Sequence, residues 1–151
     1  MGFDIHHFSD DPGRVLRLGG VELEGERALA GHSDGDVIAH AVADALLGAA
    51  ALGDLGDFFP ETEERWRDAD SIDLLTASVA AVREAGWRVA NVDCTVVLEA
   101  PRLKPHKQRM QDRLSAVVGA PVSVKPKRAE GMGALGRQEG VACWAVALVE
   151  A

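Results

Sequence analysis

Residues 71–99 read SIDLLTASVAAVREAGWRVANVDCTVVLE, and their hydrophobic period changes halfway. Ile72, Leu75, Val79 and Val82 recur at three- and four-residue steps, which predicts a helix over 71–86 with Gly86 as its stop. Beyond it, residues 87–99 read as a strand of about ten residues. Val, Thr and Val lie together in its second half, as in a central strand. A helix leading directly into a long strand implies helices layered on a sheet.

Working outward, a third helix is expected to begin near Lys104-Pro105, with Pro in its first turn. Met110, Leu114, Val117 and Val118 mark its buried stripe, and Gly119-Ala120-Pro121 ends it. PVSVKPK (121–127) reads as a strand, followed by a Gly-rich loop to Gly140. VACWAVALVE (141–150) is the last strand, and its nearly unbroken apolar run predicts burial on both faces. Toward the N-terminus, residues 3–8 and 15–18 read as short strands joined by SDDPG (9–13), with a hairpin or loop over 19–31. DVIAHAVADALLGAAAL (36–52) is helical, with Ser33 or Asp34 as cap and Gly53 as stop. Residues 53–70 form a long loop, and such a loop in a small domain is often functional. The expected fold is α/β (α+β): one domain, 1–151, with a four-stranded mixed sheet and helices on one face. The bare sheet face is expected to be covered by oligomerisation.

A chain of 151 residues suits one core, and 47% apolar content is ordinary for a globular protein. No apolar run reaches the roughly 18 residues of a membrane span, and no signal peptide opens the chain. A soluble cytoplasmic protein with no membrane partner is expected. Cys94 and Cys143 lie too far apart in sequence for a metal cluster and read as buried reduced thiols. A net charge of −8 argues against nucleic acid as a partner. Residues 101–140 carry nine Lys/Arg against three acids, a local +6 that leaves −14 for the rest. A basic third on an acidic chain points to a local anion site or to a solvated helix face.

GFDIHHF (2–8) places Asp4 and His6 on one face of an extended segment, with His7 on the other. A carboxylate and an imidazole so spaced are half of a divalent-metal site. His40 is the candidate third ligand. Asp36, His40 and Asp44 follow at four-residue steps and line one helix face. Two imidazoles and a carboxylate suit zinc with an open fourth position, and Asp44 is placed to orient His40. Spacing alone does not bring strand and helix together. GHSDGD (31–36), with His32 and Ser33, suits an anion at a helix start or serves simply as a cap. In KPKRAEGMGALGRQEG (125–140), Glu130 stands among Lys125, Lys127, Arg128 and Arg137. A lone carboxylate among cations can hold Mg²⁺ against phosphate oxygens.

These segments, with NVDCTVVLEAPRLKPH (91–106), GRQEGVACWAVAL (136–148) and the long block over 31–63, resemble the 2-C-methyl-D-erythritol 2,4-cyclodiphosphate synthase family along essentially the whole chain. The resemblance implies a homotrimeric lyase of the non-mevalonate route of isoprene biosynthesis, with an active site at each subunit interface. It would cyclise 4-diphosphocytidyl-2-C-methyl-D-erythritol 2-phosphate and release CMP. Asp4, His6 and His40 would hold zinc, and all but His40 would also meet substrate. His32 and Ser33 would contact phosphates. Asp54 and Gly56, with Phe59, Pro60, Glu61, Thr62 and Glu63, would hold the erythritol part. The cytidine pocket would be Ala100, Pro101, Arg102, Leu103, Lys104, Pro105 and His106. Glu130 would bind Mg²⁺ or Mn²⁺, with Lys127, Arg128, Ala129, Ala134 and Arg137 around the phosphates. The catalytic assignments fall on His32 and Arg128.

The chain departs from the family at Lys127-Arg128-Ala129, where members carry a Thr-rich run. Arg128 takes the place of a phosphate-stabilising hydroxyl and is expected to lower dependence on the second metal. Ala134 replaces a common aromatic, which implies a wider cavity. Only three residues precede Asp4, so the chain start reads as shortened. Two alternatives stay open: a zinc-dependent phosphotransfer or phosphohydrolase enzyme on another CDP-linked substrate, and a non-catalytic cytidine-nucleotide-binding trimer.

Overall fold

The helix-then-strand stretch is the spine of the molecule. In the computed structural model, which describes all 151 residues, it forms α3 (Ser71–Glu84) and β4 (Arg88–Val97). The preceding elements are β1 (Gly2–His7), β2 (Leu16–Leu18), β3 (Val21–Leu23), α1 (Val37–Ala49) and the short α2 (Leu55–Phe58). After β4 come α4 (Lys107–Val118), β5 (Val122–Lys127), a four-residue α5 (Gly133–Gly136) and β6 (Gly140–Glu150). β2 and β3 make a small antiparallel hairpin. The other four strands form one mixed sheet in the order β1-β6-β4-β5. β6 runs antiparallel to both neighbours, and β5 runs parallel to β4.

Strand alternation then separates two faces. Cys94, Val96, Val124, Cys143 and Ala145 point inward and are fully buried. α1 packs on β1, β6 and β4, α4 packs on β5, and α3 bridges α1 and α4. The helices are thus on one face, as expected. Cys94 and Cys143 are free, buried thiols. No helix is long and apolar enough to cross a membrane. α1 lies unusually close to β1. A Cβ on Gly2 would sit 2.2 Å from the Ala41 carbonyl oxygen, so this contact requires glycine. Alanines along the inner side of α1 serve the same approach.

Five local expectations need correction. Asp36 caps α1, accepting from the Ile38 and Ala39 N–H groups, where Ser33 or Asp34 was expected. Its carboxylate also takes the Gly19 and Gly20 N–H groups, so a buried acid is fully satisfied. α1 ends at Ala50, with Ala51 at φ +57°, before Gly53 is reached. α4 starts at Lys107, since Lys104 and Pro105 belong to the turn before it. The 53–70 segment contains α2 and a 3₁₀ turn at Glu64–Trp66. Finally, β6 is buried on both faces only over 140–143, and from Trp144 onward on one face alone. Trp144, Val146 and Leu148 stand exposed on the outer face beside Phe3 and Ile5. An apolar run does not tell burial inside the chain from burial against another chain.

Candidate active site

β1 and α1 create the site between them. Alternation on β1 turns Asp4 and His6 inward, and the close approach at Gly2 brings His40 of α1 over them. Asp4 Oδ2 lies 2.9 Å from His6 Nε2 and 2.9 Å from His40 Nδ1. The three residues offer one ligand atom each within 4.8 Å of one another. His6 Nδ1–H donates to the Ala30 carbonyl at 2.5 Å, which leaves its Nε2 lone pair facing Asp4. Burial disfavours charge on both residues. Against it, the contacts with His40 and His6 hold the Asp4 carboxyl well below the usual carboxylate range. The same Asp4 contact lifts His6, with help from the Ala30 carbonyl and Glu61. Two imidazole nitrogens and one carboxylate oxygen, this close and this polarised, fit a divalent cation.

The triad opens into a cleft of about 460 Å³. His32, Ser33, Asp54, Gly56, Phe59 and Glu61 line it, so both residues of the 31–36 segment implied for phosphate contact and four of the seven implied for the erythritol part converge there. The Glu63 carbonyl approaches His32 Nε2 at 3.3 Å, while Pro60 and Thr62 belong to the same loop. Trp66 and Leu74 also line the cleft and carried no signal in the sequence beyond their hydrophobicity.

Residues 1–150 match the model of the YgbB family. The chain belongs to that family. A YgbB-type relative, the 2-C-methyl-D-erythritol 2,4-cyclodiphosphate synthase of Salinibacter ruber, is 50% identical over 99% of this chain and 96% of its own length. The bifunctional IspDF from Campylobacter jejuni superposes with a TM-score of 0.91 at 38% identity, over 98% of this chain and 40% of that one. A solved 2C-methyl-D-erythritol-2,4-cyclodiphosphate synthase in a CDP-bound form superposes at 0.88 and 33% identity, over 99% and 97% of the two chains.

Within this YgbB-family chain, the remaining predicted residues do not join the cleft. Ala100–His106 and Lys127–Arg137 follow β4 and β5, at the same end of the sheet as His6. However, β5 is the opposite edge from β1. Three strand spacings separate them, about 14 Å. Lys127, Arg128, Glu130, Ala134 and Arg137 are exposed, and Ala129 is half-buried. Leu103 is buried in the core and anchors its turn. Ala100, Pro101, Arg102, Lys104, Pro105 and His106 surround it at the surface. Arg128 pairs with Glu99 through Nε at 3.0 Å and through Nη2, and the Gly131 N–H donates to the other Glu99 oxygen at 3.3 Å. Arg137 pairs with Glu139.

Asp44 does not orient His40. It accepts from the Phe3 N–H at 3.3 Å and the Leu55 N–H at 3.4 Å, joining β1 to α2. A group that does touch His40 is the Ser71 hydroxyl, at the start of α3. In sequence, Asp70-Ser71 signals only a helix start.

Proposed function

We propose that the chain cyclises 4-diphosphocytidyl-2-C-methyl-D-erythritol 2-phosphate to 2-C-methyl-D-erythritol 2,4-cyclodiphosphate and releases CMP. The observation that carries this is the convergence of Asp4, His6 and His40 at the floor of a cleft that His32 and Ser33 also line, in a YgbB-family chain. In the reaction, an oxygen of the substrate's 2-phosphate forms a bond to the β-phosphorus. The bond from that phosphorus to the bridging oxygen breaks, and the oxygen leaves with CMP. The substrate supplies its own nucleophile, so the protein's task is positioning and charge stabilisation.

Asp4, His6 and His40 would hold zinc, which when bound supplies Lewis-acid charge to the phosphate oxygens. His32 and Ser33 direct donors at the phosphates. Asp54 and Gly56, with the Phe59–Glu63 segment, take the erythritol hydroxyls. Glu130 would be a ligand for a second ion, Mg²⁺ or Mn²⁺, with Lys127 and Arg137 in the same stretch of chain contributing positive charge. Arg128 stabilises charge on the diphosphate once it exchanges Glu99 for phosphate. The Ala100–His106 turn receives the cytidine.

The working form is a homotrimer. Its support is twofold. The two groups of site residues lie on opposite sheet edges, so the β5 edge of one copy must meet the β1 edge of another to complete a site. The β1–β6 half of the outer sheet face, with Phe3, Ile5, Trp144, Val146 and Leu148, is apolar and open. The free thiols favour a reducing, cytoplasmic setting.

Phosphorus NMR with the CDP-methylerythritol 2-phosphate substrate, zinc and Mg²⁺ tests the reading. A cyclic diphosphate with one equivalent of CMP is expected. CMP with a linear product would move the assignment to a phosphohydrolase, and bound but unchanged substrate to a nucleotide-binding trimer.

A further inference from the structure

His40 is held from two sides. Its Nδ1 lies 2.9 Å from Asp4 Oδ2. Its Nε2 lies 2.7 Å from Ser71 Oγ and 3.1 Å from Ser33 Oγ. Ser71 is the first residue of α3 and is 1% exposed. Its hydroxyl also hydrogen-bonds Asp34 Oδ1, and its backbone N–H donates to Asp34 Oδ2 at 3.0 Å. Asp34 in turn accepts from the Asp36 N–H at 3.1 Å and faces Arg17 at 3.6 Å.

A proton count gives the direction of each bond. A serine hydroxyl has one hydrogen, and a carboxylate surrounded by an arginine and two N–H donors only accepts. The Ser71 hydrogen therefore points at Asp34. Ser71 Oγ then meets His40 as an acceptor, so His40 Nε2 carries a hydrogen. That leaves the Nδ1 side facing Asp4 Oδ2. Two electron-rich atoms 2.9 Å apart require a cation, either a proton on Nδ1 or a metal ion beside it.

We propose that Ser71 and Asp34 are positioning residues for the metal: the Asp34–Ser71–His40 chain locks His40 in its Nε2–H form and aims Nδ1 at the ion shared with Asp4 and His6. The inference rests on the metal reading above and deepens it. The Ala30 carbonyl performs the matching task for His6 and frees the opposite ring nitrogen. One consequence reaches the substrate. Because Ser71 accepts the His40 hydrogen at the shorter distance, the Ser33 hydroxyl keeps its own hydrogen for a phosphate oxygen in the cleft.

Nitrogen NMR of histidine-labelled wild type reads the first link directly, with and without zinc. His40 Nε2 is expected to be protonated in both states, with a slowly exchanging hydrogen. An unprotonated Nε2 in either state overturns the proposal. Co²⁺ titration against a competing chelator reads the second link. Ser71→Ala is expected to bind Co²⁺ about 10-fold or more weakly than wild type, with a thermal transition showing that it folds. Ser71→Thr keeps the hydroxyl and is expected to recover most of the affinity. Equal affinity in a folded Ser71→Ala, or no recovery in a folded Ser71→Thr, overturns the proposal. If wild type itself fails to bind one Co²⁺ per chain, the metal reading fails, and the NMR result alone decides the hydrogen-bond chain. The same holds if Ser71→Ala does not fold.

Discussion

Asp4, His6 and His40 are tied into the body of the chain, whereas Lys127, Arg128, Glu130 and Arg137 stand exposed at the end of β5 and in the segment after it, at the other sheet edge. In the first group each imidazole has a partner that sets its orientation: the Ala30 carbonyl for His6 and the Ser71 hydroxyl for His40. In the second group the two arginines pair with nearby carboxylates, Arg128 with Glu99 and Arg137 with Glu139. Both arginines are exposed to solvent, which screens such pairs, so phosphate can displace them at small cost. The contrast separates two tasks. A metal site must be built before its ion arrives, because three ligands have to meet within a few tenths of an ångström. A diphosphate site can tolerate looser charges, because attraction to phosphate falls off gently with distance.

Changes on the two sides should therefore differ in size and in kind. Asp4→Asn removes the charge that both imidazoles face. Divalent-metal content is expected to fall below one-tenth per chain, and turnover by about 10³-fold. Elemental analysis beside the phosphorus NMR assay checks both. Retained metal would show that the triad is less tightly built than the contrast requires. Replacing both Val146 and Leu148 with Asp attacks the join between the halves. Each apolar side chain gains about 1.5–3 kcal/mol when fully buried. The double variant should run as a monomer in light scattering, keep its metal, and lose turnover at dilute concentration. A trimer that survives would mean that another surface brings the edges together. Arg128→Thr acts on the loop alone, and a few-fold increase in the Mg²⁺ needed for half-maximal rate is expected. An unchanged requirement would show that Arg128 stays on Glu99 throughout the reaction.

Periodicity and punctuation are local, and the sequence by itself therefore determined the elements that depend on them. α3 and β4 follow from the change of period across Gly86. Asp4 and His6 share a face because strand side chains alternate. His40 stood out because Asp36, His40 and Asp44 line one face of α1, and three polar groups on one face need partners. What remained open depends on residues distant in the chain. The tertiary structure alone decided that α1 touches β1 at Gly2, and so that His40 meets Asp4. It decided that Asp36 is consumed by capping α1 and by Gly19 and Gly20, and that Asp44 joins β1 to α2 through their backbone N–H groups and makes no hydrogen bond to His40. It placed Ser71 against His40, 31 positions away in sequence. It also left the outer side of β6 open from Trp144 onward, where the sequence implied burial on both sides. Helices and strands arise from neighbours a few residues apart. Which side chains then meet is set by how whole elements pack, and the pattern within any one of them does not carry that information.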